Sequence, residues 1–276
     1  MRIPPAILTL LAGMALVLTG LWVGQNVNLL PVDASANAPV YDELFKVLFS
    51  IGTILFVGIV GLIIYSLVRF RRRPGETGDG EAIEGNLPLE ILWTAIPAVV
   101  VLFVGIYSYD IYDRMGGMTP LNDHSMHSMA MEERTWGGIS PVSLNSEEGI
   151  APLPVDVTAM QFAFIFHYPD SEITTGELHV PVGQPISLQM KALDVIHAFW
   201  VPQFRLKQDV IPGQPTLLSF TPTRTGTYPI VCAELCGPYH GGMRSNVIVE
   251  EPDRFAAWVA QNSPAIQSEP VATVQS

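Results

Sequence analysis

Cys232-Ala233-Glu234-Leu235-Cys236-Gly237-Pro238-Tyr239-His240-Gly241-Gly242-Met243 holds both cysteines of a 276-residue chain. The spacing is C-x3-C-x3-H-x2-M, on a glycine-rich segment that reads as a loop between two strands. Two thiolates, an imidazole and a thioether this close together suit copper, whereas calcium and magnesium take oxygen ligands. A second imidazole, His197, lies upstream in Asp194-Val195-Ile196-His197-Ala198-Phe199-Trp200-Val201-Pro202. Two Cys, two His and one Met are enough to hold a pair of copper ions, with the thiolates bridging. Two other readings use the same residues. The cysteines form a disulfide in an oxidising compartment, or they join the histidines in a Cys2His2 zinc site. Zinc gives no role to Met243, and a disulfide gives none to His240.

The stretch resembles subunit II of the heme–copper cytochrome c oxidases. That family's dinuclear copper (CuA) motif is C-x-E-x-C-x3-H-x2-M with a distant D-x-x-H, and every position is filled here. The resemblance covers about Asp42 to Glu250. It implies that Cys232 and Cys236 each bridge both coppers, which spreads one electron over two metals and lowers the reorganisation that electron arrival requires. It implies that His197 and His240 each cap one copper and that Met243 is a weak axial ligand tuning the potential. Glu234 would offer copper its backbone carbonyl, while its carboxylate faces a magnesium ion at the border with the large subunit. Asp194 would orient the ligand region. Lys207 and Asp209 belong to a matching stretch, Leu206-Lys207-Gln208-Asp209-Val210-Ile211-Pro212-Gly213, which implies a contact near the heme-bearing subunit.

One position departs from the family. An aromatic strand there usually reads W-x-W, and its first tryptophan receives the electron from cytochrome c. Here the strand reads Gln161-Phe162-Ala163-Phe164-Ile165-Phe166-His167-Tyr168, with Phe162 in that tryptophan's place. Phenylalanine has a smaller ring and no indole N–H. Phe162, Tyr168 and Trp200 are the candidates for receiving the electron.

Upstream lie three apolar stretches. Pro5 to Val23 reads as a signal peptide or a membrane span, with Ala34-Ser35-Ala36 resembling a cleavage site well beyond its end. Leu44 to Phe70 contains one charge before its last two residues, Lys46, and closes on Arg69, with Arg71, Arg72 and Arg73 just beyond. Leu89 to Tyr109 carries Glu90 at its start and Pro97 inside, where a kink is expected. The arginines place the short connection 71–88 on the cytoplasmic side, so everything after Asp110 faces the other side. Glu90 is an interfacial charge or part of a proton path. Its surroundings, Pro88-Leu89-Glu90-Ile91-Leu92-Trp93-Thr94, match the family segment whose glutamate stands at the mouth of a proton channel in the large subunit.

The expected organisation is a signal peptide or N-terminal membrane segment over 1–36, a transmembrane helical hairpin over 37–113, a linker over 114–150, an all-β domain over 151–262 and a disordered tail over 263–276. The linker gathers Met115, Met118, His124, Met126, His127, Met129 and Met131, half of the chain's ten methionines. It reads as a surface loop, or as a transient Cu(I) site that loads the centre. The β domain shows short β-branched or aromatic runs at Val155–Phe166, Glu177–Val180, Ile186–Ala192, Thr216–Phe220, Thr227–Val231 and Ser245–Val249. Ile186, Leu188 and Met190 alternate with polar residues, so one face is buried. Such strands suggest a sandwich or Greek-key barrel, and the resemblance implies a Greek-key cupredoxin barrel. Pro252 to Gln261 reads as a terminal helix.

Net charge is −12, which argues against nucleic acid. Residues 1–113 carry ten acidic and six basic side chains, residues 114–276 sixteen and eight, so the second part holds −8 of the charge. Acidity of this kind keeps a domain soluble or steers a basic partner. The resemblance implies an electron-transfer subunit of a cytochrome c oxidase. Its donor would be a soluble cytochrome c or small copper protein. Its partners would be subunits I and III, with heme and oxygen reduction to water in subunit I, coupled to proton translocation. Nothing in this chain marks a heme or oxygen site. The expected location is a bacterial cell membrane, or another energy-transducing membrane such as a thylakoid, with the β domain on the periplasmic side. The competing readings are a quinol oxidase relative, a group that lacks the copper ligands, and a membrane-anchored copper-binding or delivery module.

Overall fold

The computed structural model describes residues 4–72, 74, 75, 77–80, 84–115 and 151–264. The chain divides into two compact units, one of residues 1–30 and 42–110, the other of 31–41 and 111–276. Of the Met/His linker only Met115 lies among the described residues, and it is buried. The rest of that cluster and the tail beyond 264 lie outside them.

The first unit is helical. Its elements are α1 (Pro5–Asn26), α2 (Ala38–Arg69) and α3 (Leu87–Arg114). Each is long and apolar enough to cross a membrane. At 1.5 Å per residue, even the 22 residues of α1 reach about 33 Å, against roughly 30 Å of hydrocarbon. Among the described residues there are thus three such helices, where the sequence predicts a hairpin preceded by a signal peptide or an N-terminal membrane segment. Their apolar side chains are largely exposed, as suits a lipid solvent. Gly20 and Gly24 bring α1 close to α2. A Cβ at Gly20 would fall 2.2 Å from Ile54 Cγ1, and one at Gly24 would fall 1.9 Å from Ser50 Oγ. This is the small-residue contact by which membrane helices associate, one turn apart on a single face. The helix α3 runs through Pro97, which leaves the Trp93 carbonyl without its ordinary donor.

The second unit is a β sandwich. One sheet has the order β3-β2-β1-β5-β8, from β1 (Leu153–Met160), β2 (Ala163–Tyr168), β3 (Ile173–Thr175), β5 (Ile186–Ala192) and β8 (Thr216–Phe220). The other has the order β4-β10-β9-β6-β7, from β4 (Leu178–Pro181), β6 (His197–Val201), β7 (Leu206–Val210), β9 (Gly226–Cys232) and β10 (Arg244–Glu250). Parallel pairs β1–β5 and β10–β4 are mixed with antiparallel ones, so the chain crosses between sheets repeatedly. Ile186, Leu188 and Met190 are each fully buried, as their alternation predicts. Phe164 meets Phe199 edge-to-face at 6.0 Å, joining a strand of one sheet to a strand of the other. A terminal helix, α4 (Pro252–Asn262), sets Trp258 against the His179 ring at 4.2 Å and against Tyr168 at 5.3 Å.

The sequence reading ran Val155–Phe166 as one strand and left out β3, β6 and β7 as separate elements. The structure breaks the run at Gln161 and Phe162, where the chain turns back so that Met160 faces Ala163.

A short strap precedes α2. Ala34 N–H donates to Gln203 O, Ala36 N–H to Thr221 O, and Thr223 N–H to Ala34 O, each at 3.0 Å. Ser35 Oγ donates to Phe204 O at 2.8 Å. Ala34, Ser35 and Asn37 are fully buried, so the Ala-Ser-Ala resembling a cleavage site is part of the β domain here.

Candidate metal centre

Three connections meet at one end of the sandwich. In the β6–β9 pair, Phe199 faces Cys232, so the first residue of β6 and the last of β9 lie at the same edge. His197 therefore projects beside the loop that follows Cys232. The loop returns through a single 3-10 turn at His240–Gly242 and delivers Met243 just before β10. Met243 N–H bonds His240 O, and Cys232 N–H bonds Met243 O, both at 3.1 Å, which closes the loop on itself.

The donor atoms converge as the spacing predicts. Cys232 Sγ lies 3.9 Å from Cys236 Sγ and 3.9 Å from His197 Nδ1. Cys236 Sγ lies 3.5 Å from His240 Nδ1 and 3.8 Å from Met243 Sδ. The Glu234 carbonyl oxygen is 3.4 Å from Cys232 Sγ. His197 and Met243 are fully buried, and both cysteines nearly so. His197, Cys232 and Cys236 alone form a group able to hold a metal ion. The cysteines are unpaired, and their sulfurs stand about twice as far apart as the ~2.05 Å of a disulfide. A zinc site takes four donors in a tetrahedron. Here the buried thioether of Met243 brings the side-chain donors to five, a soft set that fits copper.

Neighbouring residues fix the donors. His197 Nε2 donates to Asp194 Oδ1 at 2.8 Å, which leaves Nδ1 as the lone-pair nitrogen facing Cys232. Asp194 also accepts from Gln161 N–H and from its neighbour Val195 N–H, both at 2.7 Å. Desolvation works against its charge, but these bonds, led by that from His197, outweigh it and hold the carboxyl down at about 2. In the metal-free chain, burial and the adjacent Cys232 thiol push the Cys236 thiol up to about 11. Metal uptake must therefore displace a proton. Gln161 also donates its side-chain amide to the Cys236 carbonyl. Gln161 thus ties Asp194 and the cysteine loop to one turn, a role that its residue type does not announce.

The other sequence candidates fall in different places. Lys207 Nζ reaches Glu234 Oε1 at 3.0 Å and Asp209 Oδ1 at 3.3 Å on the surface beside the loop. The Glu234 bond raises the Lys207 pKa against partial desolvation, with Asp209 adding to it. Phe162 sits at the loop, edge-to-face with Tyr239 at 5.4 Å. Tyr168 lies at the far end of β2, about 20 Å from Phe162 at the usual strand rise, and is buried with its hydroxyl donating to His179 O at 2.7 Å. Trp200 alternates with His197 and Phe199 along β6, so it points out of the opposite face of that sheet. Glu90 belongs to the helical unit, where Oε1 accepts from Asn86 N–H at 3.0 Å while Asn86 Oδ1 accepts from Leu89 N–H at 3.2 Å. That reciprocal pair caps α3.

Two family models match the chain. They are cytochrome C oxidase subunit II, transmembrane domain, over residues 20–111, and cytochrome C oxidase subunit II, periplasmic domain, over 170–251. Cytochrome c oxidase subunit 2 of Thermostichus vulcanus is 50% identical over 294 residues, covering 98% of this chain and 89% of that protein. The chain belongs to the cytochrome c oxidase subunit II family. A second relative of that name, from Synechocystis sp. (strain ATCC 27184 / PCC 6803 / Kazusa), is 45% identical, covering 96% of this chain and 85% of that one. A crystal structure of the periplasmic domain of subunit II of cytochrome oxidase (CoxB) of Bradyrhizobium japonicum is 31% identical over 43% of this chain and 98% of that one, with a TM-score of 0.40. As a subunit II, this chain is a membrane protein of an oxidoreductase complex, with its β domain periplasmic.

Removing the carboxylate that orients His197 should weaken the centre without emptying it. Asp194→Ala is expected to lower copper affinity about 10–100-fold, the usual cost of losing such a partner. Competition with a copper chelator on the full chain in detergent measures it. Unchanged affinity would show that Asp194 does not hold the ligand.

Proposed function

We propose that Cys232, Cys236, His197, His240, Met243 and the Glu234 carbonyl hold a dinuclear copper centre, and that the chain relays electrons from a soluble cytochrome c or small copper protein to a heme-bearing subunit I. The observation that carries this reading is the convergence of five soft side-chain donors around two unpaired sulfurs 3.9 Å apart. Copper bound there supplies one-electron chemistry with the charge shared between two metals.

The chain's own residues do the rest. Cys232 and Cys236 would give up their protons to hold the copper as thiolates. Asp194 keeps the His197 proton on Nε2. Gln161 and the bond between Met243 and His240 hold the loop in one shape, so little rearrangement accompanies a change of charge. Burial of Met243 and His197 excludes water from the donors. The Glu234 carboxylate, paired with Lys207 in this chain, is the group we assign to a magnesium ion at the border with subunit I. Subunit III completes the assembly. A quinol oxidase relative would lack these ligands, and all of them are present here.

The test uses the full chain in detergent, loaded with copper. We expect two coppers per chain and an electron paramagnetic resonance spectrum of one unpaired electron shared equally by both nuclei. One copper with a localised electron, or tighter binding of zinc, would overturn the relay and favour a copper-delivery module.

A further inference from the structure

We infer that Tyr239 is the side chain through which this subunit meets its electron donor, with Phe162 as its support. The inference rests on the relay reading above. Phe162 stands where the family usually places an electron-receiving tryptophan, so the contact with the donor must be made another way.

The loop geometry supplies one. Gly237 has φ of +138°, and a Cβ there would fall 2.8 Å from Gln161 Nε2 and 3.2 Å from a Phe162 ring carbon. Glycine at this position therefore lets the Phe162 ring lie directly on the backbone of the metal-binding loop. The edge-to-face contact of Phe162 with Tyr239, at 5.4 Å and 81°, then props the tyrosine outward. Tyr239 is 71% exposed. One peptide bond joins it to His240, whose Nδ1 lies 3.5 Å from Cys236 Sγ. Electronic coupling falls more slowly along bonds than across gaps, and this route from surface to donor set is covalent. Neither other aromatic candidate offers such a route, because Tyr168 is buried at the far end of β2 and Trp200 faces away.

The surroundings fit docking. Leu235 is exposed on the same loop, and Leu193 and Ile196 are exposed on the β5–β6 connection, whose Asp194 shares Gln161 as a partner with the Cys236 carbonyl. Exposed apolar clusters of this kind mark interaction sites, and tyrosine is enriched among the contacts that dominate them. The residues after 113 carry −8 of net charge, which favours approach of a basic partner. We commit to a small basic cytochrome c presenting its heme edge within an apolar face. One electron leaves its ferrous heme, which becomes ferric, and arrives at the metal centre. Tyr239 brings the heme edge close to the metal-binding loop, is not itself oxidised and keeps its phenolic proton.

The test compares two reductants on the assembled, copper-loaded oxidase. Ferrous cytochrome c must dock, whereas hexaammineruthenium(II) is a small ion that needs no apolar contact. Tyr239→Ala is expected to slow reduction of the centre by ferrous cytochrome c about 30-fold, the loss that follows truncation of a dominant interface contact. It should leave reduction by hexaammineruthenium(II) within about twofold, and Tyr239→Phe should retain most of the cytochrome c rate. On the metal-free full chain, Tyr239→Ala should weaken cytochrome c binding by a similar factor. The inference is overturned if Tyr239→Ala matches the wild type with cytochrome c, if both reductants slow together, or if binding to the metal-free chain is unchanged. A wild-type centre that accepts electrons from neither reductant would sink the relay reading itself.

Discussion

If the centre is the copper pair proposed above, Cys236→Ser should leave a folded subunit that no longer holds two coppers and no longer accepts electrons from its donor. Cys236 Sγ is the hub of the site, within 3.9 Å of Cys232 Sγ, His240 Nδ1 and Met243 Sδ. Serine preserves the shape of the side chain but replaces a soft thiolate with a hard hydroxyl that stays protonated. On the reading proposed above, only the Cys232 thiolate would remain to join the two coppers, and His240 and Met243 would lose the sulfur they face. The loss should far exceed the roughly 100-fold that removal of a supporting partner costs. The fold should survive, because the loop is also closed by the backbone bonds between Cys232, His240 and Met243. Copper counting, the resonance spectrum and circular dichroism on the full chain check all three points. A variant that keeps two coppers and the shared-electron spectrum would show that Cys236 is not a bridge.

The second large effect lies beneath the site. Phe199 is fully buried, meets Phe164 across the two sheets and faces Cys232 along the β6–β9 pair. Phe199→Ala removes a whole ring from a region where neighbouring backbone is fixed by sheet hydrogen bonds and cannot collapse into the space. Such truncations cost about 3–5 kcal/mol. For a domain of this size that corresponds to a fall in melting temperature of roughly 10–20 °C. Differential scanning calorimetry of the full chain in detergent reads it, and a fall of under about 3 °C would place Phe199 outside the core. Copper loading should drop in parallel, because His197 and Cys232 lie on the two strands that Phe199 helps to align.

The proposed donor set could be read from the sequence because metal affinity is a property of residue types, and four of its members sit within twelve residues. The expectation for the β domain came from alternation, and it held where alternation is clean, as in Ile186–Ala192. It failed where burial is two-sided. In His197–Val201, Ala198 is buried as well as Phe199, so the period of two disappears. In Leu206–Val210 only the outermost residues are buried, around Lys207, Gln208 and Asp209, and the segment reads as a polar loop. The Gln161 turn was invisible because apolar residues run through it on both sides. The parts played by Gln161 and Tyr239 arise from contacts between distant loops, and nothing local in the sequence encodes them. Ala34-Ser35-Ala36 supports two readings for a physical reason. Small residues suit a protease's active-site cleft and a tightly packed strap equally well.

That strap has a consequence for how the subunit is made. Its partners are synthesised long after it, since the Ser35 hydroxyl must find the carbonyl of Phe204, 169 residues downstream. At about 5–20 residues per second, the wait is roughly 10–30 s. Throughout that interval the backbone groups of Ala34 and Ala36 must find temporary partners. The strap therefore cannot nucleate the sandwich, and is fastened only when most of the β domain has emerged. Its fastening requires that translation has passed β8, because Thr223 N–H supplies one of its bonds. Until β9 and β10 follow, the second sheet lacks the strands that join β4 to β6, so the strap is fastened before the sandwich and its cysteine loop are complete.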